Sequence, residues 1–281
     1  MPRAIDVHVH PSTHEYLGDA LGDYRPACEA YFRTAIPERS VAEMAGEFRA
    51  LDMMAVLLAW DAETATGLPP VTNDFVAACV RDHPDVFVGF ASVDPGKGEA
   101  AVNELERSVR MLGLRGLKLH PTAQGFRPDD RGIYPVWESA TALSIPVTVH
   151  TGTTGLGAGM RGGGAMKLEL SRPIRLDAVA ADFPDLQIVM AHPAWPWQDE
   201  QIAVALHKPN TWIDLSGWSP RYFAPELVRE IQGRLQDRVL FGTDYPFIAH
   251  DKWLAAFAEL DCSDEVTEKV LLGNARRLLG L

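Results

Sequence analysis

Eight short apolar runs recur along this 281-residue chain, each followed by a stretch able to form a helix: Ala4–His10, Ala55–Trp60, Val86–Val93, Gly116–His120, Pro146–His150, Gln187–His192, Thr211–Leu215 and Arg238–Gly242. Strands that alternate with helices pair in parallel, because each helix carries the chain back across the sheet. Eight such units suffice to close the sheet, so the expected fold is α/β, a single-domain (β/α)8 TIM barrel spanning residues 1–281. Val102–Leu112, Pro135–Leu143, Ile174–Ala181, Pro225–Leu235 and Lys252–Leu260 carry apolar residues at three- and four-residue spacing, as covering helices should. The segment from Pro11 to Leu51 is long for one unit; it predicts a small N-terminal insertion over the barrel mouth before a helix at Val41–Leu51. Asn274 to Leu279 predicts a last helix whose leucines pack back on the barrel.

Chemistry-bearing residues stand at the ends of these runs, where a barrel of this type places its active site. In Ala4–His10 a period of two puts Asp6, His8 and His10 on one face and Val7 and Val9 on the other. Two imidazoles about 6.6 Å apart along a strand can converge on one cation. In Gly116-Leu-Lys-Leu-His120 the leucines alternate with Lys118 and His120, which turns both polar residues toward the interior. A lysine there is costly to bury. Three accounts are open: a carboxylated lysine bridging two metals, a cation for a substrate oxyanion, or an ion pair with an acid such as Asp6. His120 is placed either to touch substrate or to bond a loop. His150 and His192 end the fifth and sixth runs, and Asp244 follows the eighth, where closure brings it beside His8 and His10. A carboxylate at that point can ligate a metal or take a proton from an activated water. Asp214, ending the seventh run, is a weaker alternative with a structural part to play.

The rest of the chain narrows the class. A net charge of -12 argues against a nucleic-acid partner. No apolar run reaches the ~18 residues that span a bilayer, and Met1-Pro2-Arg3 leads directly into a strand, so no membrane association and a cytoplasmic location are expected. Cys28, Cys79 and Cys262 show no disulfide or zinc-ribbon spacing. Thr151–Gly164 holds seven glycines in fourteen residues on the catalytic face, composition suited to a mobile lid, with Arg161 placed to meet a substrate carboxylate. Trp195, Trp218 and Tyr222, in the loops after the sixth and seventh runs, would form an aromatic wall for a flat substrate, while Trp197 and Phe223 read better as loop anchors.

The motifs Asp6-Val-His-Val-His10-Pro, Gly116-Leu-Lys-Leu-His-Pro121, Val149-His-Thr-Gly152, Asp182-Phe-Pro-Asp-Leu186 leading to Ala191-His-Pro193, and Phe241-Gly-Thr-Asp-Tyr-Pro246 together resemble the amidohydrolase superfamily. More narrowly they resemble the amidohydrolase-related branch that includes aminocarboxymuconate-semialdehyde decarboxylase. The resemblance implies that His8, His10, His150 and Asp244 hold one divalent ion, most often Zn2+ with Mn2+ as an alternative, and that His192 is the general acid/base. A binuclear site with carboxylated Lys118 stays open, although the surrounding motifs match the mononuclear branch. No ligand of the set is missing, which speaks against a decayed barrel serving as a scaffold. Relatives' habits and the aromatics at the mouth suggest a homodimer.

Two reactions are compatible with such a site. The leading expectation is a metal-dependent hydrolase that directs an activated water at a carbonyl of a small, anionic, aromatic-derived substrate, cleaving a C–C, ester or lactone bond. It draws on the Trp-Pro-Trp197 and Ser216-Gly-Trp-Ser-Pro segments, which look like a subgroup associated with hydrolytic C–C cleavage of aryl β-ketoacyl thioesters. The alternative is a metal-dependent non-oxidative decarboxylase of an aromatic or muconate-type acid. Lys118, His120, Arg161, Trp195, Trp218 and Tyr222 are the expected substrate contacts in either case.

Overall fold

The structure, a computed structural model, describes residues 2–281. Its centre is a sheet of eight parallel strands in sequential order: β1 (Ala4–Val9), β2 (Met53–Leu58), β3 (Phe87–Ser92), β4 (Leu117–Leu119), β5 (Val147–His150), β6 (Ile188–Ala191), β7 (Thr211–Asp214) and β8 (Val239–Leu240). Backbone bonds from Val7 to the Phe241 carbonyl (3.0 Å) and from Asp244 to the His8 carbonyl (3.0 Å), with a parallel bridge between Val9 and Tyr245, join the last strand to the first. The barrel predicted from the eight apolar runs is therefore the observed fold, with each strand within a few residues of its expected position.

The strands are apolar on both sides because both sides are covered. Alternate residues divide between two clusters: Val56 and Leu58, with Val88, Phe90, Val189, Trp212 and Leu240, fill the inside, while Leu57, Leu117, Leu119, Ile188 and Met190 meet the helices. Ala275 and Leu279 of the C-terminal helix Asn274–Leu279 join the inner cluster beside Ile5 and Val7.

In β1 the expected alternation fails. The pairing with β2 shifts by one residue between Asp6 and Val9, so a bulge intervenes and Val7 and Val9 fall in different clusters. Asp6 accordingly does not share the surroundings of His8. It accepts hydrogen bonds from Thr243 N (3.0 Å) and Thr243 Oγ1 and lies 3.1 Å from His250 Nε2. These contacts fasten β1 to the segment that follows β8.

Five predicted covering helices are present as Glu99–Arg110, Tyr134–Ala142, Arg175–Asp182, Pro225–Gln232 and His250–Ala258. Asn73–Asp82 and Gln198–His207 supply the helices expected after the second and sixth strands, whose bounds the sequence left open; the first is capped by Thr72, whose hydroxyl accepts from Phe75 N. The insertion folds as a π-helical turn (Glu15–Ala20), a short 3-10 turn and the helix Arg25–Phe32, before Val41–Ala50. Ser40 and Glu43 form a reciprocal capping box on that last helix. Among the described residues, no helix is long and apolar enough to cross a membrane.

Candidate metal centre

At the C-terminal ends of the strands lies a cavity partly open to solvent. Its floor carries His8, His10, Lys118, His120, His150, His192 and Asp244, so the topology brings together the strand-end groups singled out from the sequence except Asp214, which stands behind His8. The insertion supplies Tyr16, Cys28, Tyr31 and Phe32 to its wall, and Trp60, Trp218 and Phe247 complete the aromatic lining. Tyr16 stacks on His10 (centroids 4.6 Å apart, 2° between planes), and Phe32 stacks on Phe247 (4.8 Å, 24°).

The donor atoms have the spacing a metal requires. Nε2 of His8 and Nε2 of His10 each stand 3.5 Å from Asp244 Oδ1. Ligand atoms of one tetrahedral ion, each bound at ~2.1 Å, are about 3.4 Å apart. Possible donor atoms of His8, His192 and Asp244 also lie within 4.8 Å of one another. One imidazole nitrogen at the floor, His150 Nε2, is buried without a hydrogen-bond partner. Such an orphan is rare because it forfeits its hydration, and in a His/Asp cluster it points to a missing ligand. The residues present therefore fit a divalent cation.

His8 is oriented from behind. Its Nδ1 lies 2.6 Å from Asp214 Oδ2, and its Nε2 lies 2.9 Å from Lys118 Nζ. Burial, then the nearby Lys118, holds His8 well below the ordinary imidazole range. Burial pushes Asp214 up to about 7. A neutral His8 thus shares a hydrogen bond with Asp214 rather than an ion pair, the carboxylate–histidine arrangement that aims a ligand at a metal. Lys118 is brought down to about 8 by burial, against the raising effect of Asp244 and Asp214. Its expected pairing with Asp6 does not occur: the oxygens of Asp6 are occupied by Thr243, His250 and the His8 backbone, and Lys118 contacts His8 instead.

The remaining histidines are also neutral groups. Burial lowers His10, His120 and His150, and brings His192 down to about 4. Asp244 is held below its usual value: burial alone would raise it, but the neighbouring His10, His192 and Lys118 outweigh burial. His192 (φ 71°) and Asp244 (φ 67°) both have left-handed backbones, a strained setting for non-glycine residues that occurs at functional sites.

Other expected contacts divide. His120 lines the cavity, and its Nδ1 accepts from Ala123 N (3.2 Å), so it also caps the turn that follows β4. Trp218 lines the cavity; Trp195, half exposed, packs beside it (centroids 6.2 Å apart) without lining it. Tyr222 is 74% exposed and Arg161 is exposed, and neither is among the lining residues. Arg161 immediately precedes three glycines with left-handed backbones, Gly162, Gly163 and Gly164. The glycine-rich segment itself is packed as a wall: Thr154, Gly155 and Leu156 are buried against the cavity, and Tyr24 donates to the Gly164 carbonyl (3.1 Å). Trp197 and Phe223 lie outside the lining, Phe223 buried and Trp197 under Arg172. Ser216 escaped the sequence reading, yet its hydroxyl contacts Asp214, His8 and His192. Its spacing of two from Asp214 was the available signal.

Comparison with known proteins places this geometry. The family described as Amidohydrolase matches residues 5–281. A gamma-resorcylate decarboxylase of Polaromonas sp. strain JS666 is 26% identical, the alignment covering 82% of each chain. An uncharacterized TIM-barrel protein, Bb4693, of Bordetella bronchiseptica superposes with a TM-score of 0.83 over 99% of this chain and 98% of that one, at 26% identity. A dihydroxybenzoic acid decarboxylase of Polaromonas sp. JS666, solved with manganese and 2-nitroresorcinol, shares the fold (TM-score 0.69, 23% identity, 100% and 98% covered). Since the family match runs from the first strand to the last residue and takes in every strand-end group on the cavity floor, the chain is an enzyme of the amidohydrolase family.

Proposed function

We propose that this enzyme is a metal-dependent carboxy-lyase that removes carbon dioxide from a small aromatic acid of the hydroxybenzoate kind. The observation that carries the reading is the pairing of a His/Asp cluster with a ring-shaped slot: Tyr16, Trp60, Trp218 and Phe247 enclose the floor on which His8, His10 and Asp244 converge. The decarboxylases among its relatives favour this reading over the hydrolase that the loop segments suggested.

We assign His8, His10, His150 and Asp244 as the residues that hold one divalent ion, zinc or manganese. His150 is preferred to His192 because its Nε2 is the buried nitrogen left without a partner. When bound, the ion supplies a fixed positive charge for the substrate's carboxylate and neighbouring oxygen. Lys118 adds a second positive group at the floor. The aromatic walls orient the ring, and the insertion keeps bulk water from the reacting carbon.

His192 carries the proton. It takes one from the substrate's hydroxyl or from solvent and delivers it to the ring carbon that bears the carboxylate. The C–C bond to the carboxylate then breaks, its electron pair stays with the ring and restores aromaticity, and carbon dioxide leaves. One proton is consumed for each carboxylate lost. Product analysis by mass spectrometry in H2-18O, with hydroxybenzoate-type and aromatic β-keto acids, tests the assignment. Unlabelled product lighter by carbon dioxide is expected; label in a new carboxylate would make the enzyme a hydrolase.

A further inference from the structure

We infer that the Ser216 hydroxyl fixes the ring proton of His192 on Nδ1, beside a His8 whose Nδ1 is fixed by Asp214, so that the two Nε2 lone pairs are available together. Ser216 is fully buried, and its Oγ has three polar neighbours: Asp214 Oδ2 at 2.8 Å, His192 Nδ1 at 2.9 Å and His8 Nδ1 at 3.0 Å. A hydroxyl has one proton to donate and two lone pairs with which to accept. Asp214 Oδ2 is the nearest of the three and a stronger acceptor than a neutral imidazole, so the hydroxyl proton goes to Asp214. The oxygen then accepts from His192, which requires hydrogen on its Nδ1, whereas the Nδ1–H of His8 is directed chiefly at Asp214 Oδ2, 2.6 Å away.

Two further contacts agree with this proton count. Lys118 Nζ, a donor, sits 2.9 Å from His8 Nε2, which must accept. Gly217 leaves the space that lets His192 approach: a Cβ there would stand 2.5 Å from His192 Nδ1. Asp214 backs up Ser216 at His8 but not at His192, for which Ser216 is the hydrogen-bond partner at Nδ1. Ser216 is thus a positioning residue that acts through His192. Its catalytic consequence rests on the function proposed above; its test does not.

The test is the 15N NMR of the histidine rings in the full-length, chelator-treated protein at neutral pH. The wild type should show protonated Nδ1 and bare Nε2 for both His8 and His192. In Ser216→Ala, His192 should become a mixture of tautomers while His8, still bonded to Asp214, stays as it was. Ser216→Thr, which keeps the hydroxyl, should restore the wild-type pattern at His192. With metal restored, Ser216→Ala should lower kcat about tenfold or more with KM little changed. Protonated Nε2 on either ring of the wild type, or an unchanged His192 in Ser216→Ala, would overturn the inference. Loss of kcat with an unchanged tautomer would also count against it. A correct tautomer pattern in an enzyme that proves to be a hydrolase would leave it intact.

Discussion

The imidazoles of His120 and His150 lie face to face, their centroids 3.7 Å apart and their planes 9° from parallel. They come from adjacent strand ends, and His120 makes His150 harder to protonate, adding to the effect of burial, while burial and then Lys118 lower His120 itself. The stack offers a flat surface at the cavity floor, edged by Trp60 at 5.4 Å from His120.

Replacing His120 by Asn keeps a side-chain acceptor for Ala123 N and removes the ring. We expect a stability loss of about 1 kcal/mol from the weaker cap, and a roughly tenfold rise in KM as a substrate contact disappears. Steady-state kinetics and thermal denaturation separate the two effects. An unchanged KM would confine His120 to holding its own loop.

The choice of His150 over His192 as a ligand is open to direct measurement of metal content. His150→Ala should be purified with little metal even after exposure to zinc or manganese, whereas His192→Ala should retain metal and lose turnover. Asp244→Asn should keep the fold but lose on the order of a hundredfold or more in kcat. Metal retained by His150→Ala and lost by His192→Ala would exchange the two assignments. Near wild-type turnover in Asp244→Asn would remove that carboxylate from the mechanism.

Most of this centre was legible before folding because barrel strands are covered on both faces: their apolar runs stand out, and a histidine ending such a run has few packing explanations. The bulge in β1 was hidden, since an extra residue leaves the apolar composition unchanged while reversing which side Val7 faces. Tyr16 and Phe247 were also hidden. They reach the cavity through a π-helical turn and a loop after β8, and their positions depend on closure of the ring. Position after a strand told which end of the barrel Arg161 and Tyr222 occupy, but the direction in which a loop side chain leaves its backbone is set by turn geometry that composition does not encode.

Five buried histidines make the stability of the metal-free enzyme depend on pH. His8, His10, His120, His150 and His192 all have pKa values below 6.5 in the folded protein. Below pH 6.5 the unfolded chain therefore binds protons that the native state refuses, and stability falls as pH falls, by up to about 1.4 kcal/mol per group per pH unit. Asp214, raised to about 7, acts in the opposite sense by holding a proton that the unfolded chain releases above pH 3.8. One such group does not offset five. Urea unfolding of chelator-treated protein should show a lower midpoint at pH 5.5 than at pH 7.5. An equal or higher midpoint at pH 5.5 would mean that these rings take up protons without unfolding the barrel.

Gly217 joins Ser216 to Trp218 with a φ of +73°, and a Cβ on it would collide with His192 Nδ1 at 2.5 Å. Gly67 has a similar φ, +72°, in the left-handed region, but nothing within 4 Å of where its Cβ would be. Alanine at Gly67 therefore reports the cost of the left-handed backbone alone, about 1 kcal/mol, with activity retained. Alanine at Gly217 carries the positive-φ cost and must also push His192 away from Ser216. Its kcat should fall at least a hundredfold beyond any change in Gly67→Ala, about 2.7 kcal/mol of transition-state stabilisation. The comparison needs only melting temperatures and initial rates for the two variants. If Gly217→Ala were destabilised like Gly67→Ala yet turned over at the wild-type rate, the close approach of His192 to Ser216 would be a packing detail and the proton would travel by another group.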